Sequence, residues 1–315
     1  MTSKIIPDEH VLIIGSSGLD IVGQHDLPLE SGSSNPARVR PSFGGVSRNV
    51  AENLVRLGMN VKLITAVGDD PFGSLLLELI TKLGVNVSAC LTTPDYSTAS
   101  YLAVLDRKRG LDFALDDMRI HTLITPDHVN KYAEWFDTAC MVFIDTNLSP
   151  ATLKTVFKIA KASNVRVCAN TTARHLSKRL SPHLKHLHLV TGNNSELSEL
   201  TGLSIATNDR QAALEGARML INAGTDIAVV TLGEHGVCYA TSDTSGHIPA
   251  IRTNVFDPTG AGDALTAAII FGILYGIPID EAIGLGVSAA SLTLRTPGSV
   301  MADLSLEKLY GELVI

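Results

Sequence analysis

Six short runs of nearly unbroken apolar, β-prone residues punctuate this sequence: VLIIG (11–15), VKLITAVG (61–68), MVFID (141–145), VRVCAN (165–170), HLHLVTGN (186–193) and IAVVTLG (227–233). A strand wetted on one side alternates polar and apolar residues, so strands without that alternation are buried on both faces, as in a parallel sheet covered by helices. Patterns of helical period fill the intervals, over 46–57, 71–83, 149–162, 194–200, 209–223, 263–275 and 279–293. The rhythm predicts an α/β fold with a doubly wound, mostly parallel sheet. At 315 residues the chain is long enough for one large unit of this kind.

Residues 20–43 and 97–115 break the rhythm by alternating polar and apolar side chains, and the second stretch turns at Asp106-Arg107-Lys108-Arg109-Gly110 like a hairpin. Both leave and rejoin the main pattern. They are expected to form a small antiparallel β-sheet lid inserted in a single domain spanning 1–315, since no low-complexity linker or internal repeat divides the chain.

Composition narrows the partners. A formal charge of −7 with both signs interspersed leaves no electrostatic footprint for nucleic acid or an anionic membrane. The longest apolar stretch, Ala264 to Ile279, is interrupted by Gly272, Gly276 and Pro278, too punctuated to span a bilayer. The N-terminal MTSKIIPDEHVLIIGSS reads as a first strand and not a signal peptide. Cys90, Cys140, Cys168 and Cys238 form no C-x-x-C pair and suit buried reduced thiols, so a cytoplasmic location is expected. His175, His183, His186 and His188 have no acidic or cysteine ligand at zinc-like spacing and read as surface and strand-edge residues. GSSGLD after the first strand lacks the G-x-G-x-x-G of a dinucleotide site.

Two segments carry chemistry. In TNVFDPTGAGDALTAAIIFGIL (253–274) a strand-like run ends in a small-residue turn, and a long apolar helix starts near Asp263. Glycines at 260 and 262 let successive N–H groups converge at the positive end of the helix dipole, where a phosphoryl group would be held. Asp263 lies beside that spot, placed to accept a proton from a hydroxyl attacking in line. The helix terminus is expected to keep its carboxylate ionised and weakly basic, which suffices for a loose phosphoryl-transfer transition state. Taken alone, the turn serves a helix cap equally well. In FGGVSRNVAENLVRLG (43–58), Gly44 and Gly45 allow a ligand close to the backbone, and Asn49 on the helix that follows can bond a diol.

Together these motifs resemble the ribokinase-like (pfkB-type) family of carbohydrate and nucleoside kinases, in the family's order and over nearly the whole chain. The resemblance implies that Asp263 is the catalytic base and that Gly260, Ala261 and Gly262 form the anion hole. It implies that Asp20 binds sugar hydroxyls with Gly44, Gly45 and Asn49. Asn193 and Glu196, in GNNSE, match the N-x-x-E element that organises Mg2+ and phosphate, with Glu196 acting on the metal indirectly. Thr231, Gly233 and Gly236 match the loop that contacts ATP, and Asp257, Thr259 and Gly298 resemble positions around a K+ site. A homodimer through the lid sheets is implied as well.

Within the family the chain is most similar to pseudouridine kinases, through Ser34-Asn35-Pro36, Arg48 to Leu54, Leu115-Asp116-Asp117-Met118 and Asp145-Thr146-Asn147-Leu148-Ser149. Pseudouridine carries a ring N–H where uridine has none, and Asn35, Asp117 and Asn147 stand as candidate acceptors for it. The alternatives are a kinase for ribose, adenosine or fructose and a catalytically silent ligand-binding regulator on the same fold. Two positions depart from the family's pattern: Gly18 stands where many relatives have Asn, and Asn170-Thr171-Thr172 replaces an Asp-Pro strand end.

Overall fold

The computed structural model describes residues 9–107 and 110–313. Residues 1–8 of the N-terminal run and Lys108 and Arg109 of the expected hairpin turn lie outside the described residues. In chain order the strands are β1 (His10–Ile14), β2 (Gly18–His25), β3 (Ala37–Gly44), β4 (Val61–Ile64), β5 (Ala66–Gly68), β6 (Leu91–Thr93) and β7 (Ser100–Leu105). They continue as β8 (Leu111–Asp117), β9 (Ala139–Asp145), β10 (Val167–Asn170), β11 (Leu187–Asn193), β12 (Ile227–Thr231), β13 (Val237–Thr241) and β14 (Ser245–Ile248).

The large sheet runs β14-β13-β12-β11-β10-β9-β1-β4, parallel from β4 to β12. Its strands lack polar alternation because they divide their side chains between two cores. Val11 and Ile13 of β1 enter one core with Val50, Leu76, Ile269 and Ile283, from the helices Val46–Arg56, Pro71–Lys82, Ala261–Leu274 and Ile279–Leu294. Leu12 and Ile14 enter the other with Val156 and Ala217, from Pro150–Ala162 and Arg210–Asn222. The helix Ala261–Leu274 is buried from Asp263 to Gly272, so it is apolar all round.

The run VKLITAVG forms two strands. β4 stays in the large sheet, while β5 leaves it after Thr65 and pairs in parallel with β6. β13 and β14 close the far edge as antiparallel strands; a hairpin through the Gly233–Gly236 turn suffices for that, whereas a parallel strand needs a crossover.

The second sheet has the order β3-β2-β7-β8, with antiparallel β2–β3 and β7–β8 pairs joined by a parallel β2–β7 contact. Asp106 and Gly110 close its hairpin, through the Asp106 N–H to the Gly110 carbonyl at 2.9 Å and the Gly110 N–H to the Asp106 carboxylate at 2.7 Å. One face carries Asp20, Val22, Tyr101, Ala103 and Asp116; the other carries Val39, Leu102, Val104, Phe113 and Leu115. Val39, Phe113 and Leu115 on that second face are exposed.

Candidate active site

The strand order reverses at β1, which has β4 on one side and β9 on the other, and a crevice opens at the carboxyl ends of strands where such a reversal occurs. Asp145, at the end of β9, draws the crevice together. Its carboxylate accepts the Ser16 N–H at 2.6 Å and the hydroxyls of Ser16 and Ser47 at 2.7 Å each. Ser16 follows β1, and Ser47 sits on the first turn of the helix after the glycine pair, so one buried carboxylate fixes three chain segments.

Asp263 lies in the first turn of Ala261–Leu274, where the N-terminal N–H groups have no intrahelical acceptor. Gly260 caps that helix in the left-handed region, φ 77°, and a Cβ there would run into the carbonyl of Ser299. The Asn49 amide donates to Asp263 Oδ2 at 2.8 Å. Asn49 is itself oriented, its Oδ1 accepting from Arg48 at 3.1 Å and from the Ser299 hydroxyl at 2.9 Å.

Burial pushes the Asp263 carboxyl up to about 7, and the carboxylates of Asp20, Asp145 and Glu196 add to the rise against the opposing hydrogen bond from Asn49. This departs from the weak base that the helix terminus predicted. A helix dipole offers at most about 2 kcal/mol, whereas a rise of this size is worth on the order of 4 kcal/mol, so desolvation wins. Asp20 on β2 is likewise raised to about 7 by burial, with Arg48 opposing and Asp257 reinforcing. A side chain at Gly44 would occupy the space of the Asp20 carboxylate, which is why that position has none.

Two hollows flank the 258–263 turn. One, of about 330 Å³, is lined by Asp20, Gly45, Asn49, Asn147, Thr259 and Asp263, together with Tyr101, Asp116, Met118 and His175. The other, of about 260 Å³, is lined mostly by apolar groups with Thr231, Gly233, Gly236, Pro258, Ala261 and Gly262. Residues of the first turn of the Asp263 helix and the turn before it contribute to both linings, Pro258, Ala261 and Gly262 to the second hollow and Thr259 and Asp263 to the first. A third hollow of about 500 Å³ adjoins the first through the shared residues Asp116, Met118, Asn147 and His175.

Most residues singled out in the sequence converge here, and several do not. Asn193 and Glu196 line neither flanking hollow. They form a reciprocal capping box, and Glu196 also accepts the Thr171 hydroxyl at 2.6 Å. Asp257 is buried with the Thr259 N–H on its Oδ1 at 2.9 Å, and Gly298 has φ 87° beside Ser42. Asn35 lines none of these hollows, and its half-buried side chain is bonded to the backbone of Glu30 and Ser33. Asp117 lines the third hollow but not the first; it is on the opposite face of β8 from Asp116, and both its oxygens are taken by Arg119, at 2.8 and 2.7 Å. Gly18 has no room for the family's Asn, because a Cβ would meet the carbonyl of Ala99. The sequence reading gave no site role to Tyr101, Asp116, Met118 and Thr172; His175 is exposed, as the sequence reading expected, and also lines the first hollow. Strand alternation through Asp20 was the available signal for Tyr101 and Asp116.

The sequence profile of pfkB family carbohydrate kinases matches residues 8–304. The chain belongs to that family. It is 32% identical over 299 residues to a pseudouridine kinase of Escherichia coli (strain K12), covering 95% of this chain and 94% of that one. It is 28% identical over 310 residues to a guanosine-inosine kinase of Exiguobacterium acetylicum, covering 95% and 99%. Among solved structures, a carbohydrate kinase from Agrobacterium tumefaciens superposes with a TM-score of 0.81 at 29% identity, covering 97% of each chain. An Arabidopsis thaliana ribokinase complexed with ribose and ATP reaches 0.84 at 20% identity, covering 98% of this chain and 99% of that one, a likeness of fold. The chain is therefore a sugar or nucleoside kinase by family. Among the described residues no helix is long and apolar enough to cross a membrane.

Proposed function

We propose that this family member transfers the γ-phosphoryl group of ATP to the 5′-hydroxyl of pseudouridine. The observation that carries the reading is the pair of hollows on either side of one glycine turn, with Asp263 facing the acceptor side. ATP occupies the apolar hollow, with Thr231, Gly233 and Gly236 along its nucleotide. The N–H groups from Gly260 to Gly262 stabilise charge on the transferring group. The 5′-oxygen attacks the γ-phosphorus, the bond to the β–γ bridging oxygen breaks, and the hydroxyl proton passes to Asp263. Asp20, Asn49 and the backbone at Gly44 and Gly45 hold the ribose. The small sheet closes over it as a lid within a single 1–315 domain and excludes water, so that ATP is not hydrolysed.

Mg2+ supplies charge neutralisation on the phosphates when bound. The Glu196 oxygens are engaged by Thr171 and Asn193, which suits an indirect, water-mediated role. Asp257 is a buried carboxylate without an ion-pair partner among the described residues, which suits K+ near Thr259 and Gly298. The exposed apolar face around Val39, Phe113 and Leu115, flanked by two open strand edges, supports a homodimer through the lid. Sedimentation at micromolar concentration should give the dimer, and a monomer alone rejects it.

The substrate is tested by coupled ADP release on a panel of pseudouridine, uridine, guanosine, adenosine, ribose and fructose. Pseudouridine should have the highest kcat/KM; faster turnover of ribose, adenosine or fructose would replace it. A silent regulator on the same fold would turn over none of them and would have no use for a buried carboxyl poised near neutrality.

A further inference from the structure

The acceptor hollow is larger than a pentose requires, and its outer end has its own polar wall. Register sets that wall. Asp20 of β2 lies opposite Tyr101 of β7, and Tyr101 lies opposite Asp116 of β8. The three residues therefore form one row across the small sheet on the face that covers the site, and all three line the hollow. Asp20 lies at the end beside Asp263, while Asp116 stands at the junction with the adjoining 500 Å³ hollow.

Two strand spacings separate Asp20 from Asp116, about 9.6 Å. One nucleoside can bridge that row, with a sugar hydroxyl on Asp20 and the base reaching Asp116.

We propose that Asp116 is the residue that selects the base, accepting a ring N–H from the nucleoside. The inference rests on the nucleoside-kinase reading above and names the specificity element within that site. A carboxylate offers acceptors only, so it rewards N–H and penalises a C–H in the same place. Asn147 and His175, on the facing wall, each carry both donor and acceptor capacity and discriminate less. Asp117 lines only the adjoining hollow, lies at the opposite strand parity, and has its carboxylate paired bidentately with Arg119.

The test compares kcat/KM for pseudouridine, uridine and N1-methylpseudouridine in the wild-type protein and in Asp116→Ala, Asp116→Asn and Asp117→Ala, with circular dichroism verifying each fold. Uridine has C–H at the ring position where pseudouridine has N1–H, and the methyl derivative removes the donor from the same ring. The wild-type protein should prefer pseudouridine over both by roughly 10- to 100-fold, the range of a hydrogen bond to a charged group. Asp116→Ala should bring both ratios to within about threefold of unity, and Asp116→Asn, whose amide oxygen still accepts, should fall between. An undiminished preference in Asp116→Ala overturns the assignment while leaving the kinase reading intact. Loss of preference in Asp117→Ala with retention in Asp116→Ala overturns the parity argument. If the wild-type protein phosphorylates no nucleoside, the proposed function fails and this inference fails with it.

Discussion

Replacing Asp263 with Asn should make the protein more stable, and the gain should depend on pH. The carboxyl sits at about 7 in the folded protein against an ordinary 3.8. Between those values the folded state holds a proton that the unfolded chain has released, so stability falls as pH rises through that window. The loss accumulated between pH 5 and pH 8 is on the order of 3 kcal/mol. Asn cannot ionise, and its Oδ1 can still accept from Asn49, so Asp263→Asn keeps the contact and escapes the penalty. Its advantage over the wild-type protein should therefore widen by that amount across the same range. At about 2 °C per kcal/mol for a chain of this size, the melting temperatures should diverge by roughly 6 °C more at pH 8 than at pH 5. Thermal unfolding followed by circular dichroism without ligands measures this. A variant no more stable than the wild type at pH 8, or a difference that does not change with pH, refutes the claim that burial raises this carboxyl. An activity-bearing charge kept at the expense of stability is common at functional sites.

Further outcomes follow from the same geometry. Because Asp263 must be ionised to take a proton, kcat/KM should climb through the region around pH 7 and level off above it; Asp20, also raised to about 7, shares the titration, so the inflection belongs to the pair. A flat profile from pH 5.5 to 8.5 contradicts this assignment of the base. Arg179 donates to the carbonyls of Thr146 and Leu148 at 2.9 and 3.1 Å and thereby holds the loop bearing Asn147. Arg179→Ala should raise KM for the nucleoside by about tenfold, the scale of a lost charged hydrogen bond, while KM for ATP stays fixed. Initial-rate kinetics with each substrate varied would expose the opposite split.

The glycine turn before the Asp263 helix and the Gly44-Gly45 pair were legible in the sequence because backbone geometry admits little else there. Gly260 needs a left-handed φ, and Gly44 must make room for the Asp20 carboxylate. The parallel sheet was legible for a similar reason: β1 divides its side chains between two cores and so has no polar position to spare. What was hidden depends on distant partners. Asp116 and Asp117 are neighbours of the same type, and only pairing with β7 decides which one faces the site. Asn35 is taken up by its own loop. His175 belongs to a histidine-rich segment whose other members sit elsewhere: His183 stacks on Phe157, and His188 bonds Asp226. The basicity of Asp263 comes from burial together with carboxylates on three other segments, which no local pattern encodes.

The central claim is that Asp263 takes the proton from the acceptor hydroxyl during phosphoryl transfer. Its most direct test is kcat for pseudouridine phosphorylation by Asp263→Asn, with binding of both substrates measured by calorimetry on the same preparation. The account predicts a fall of roughly 10²- to 10⁴-fold in kcat with both dissociation constants little changed. Turnover within about threefold of the wild-type protein would contradict it.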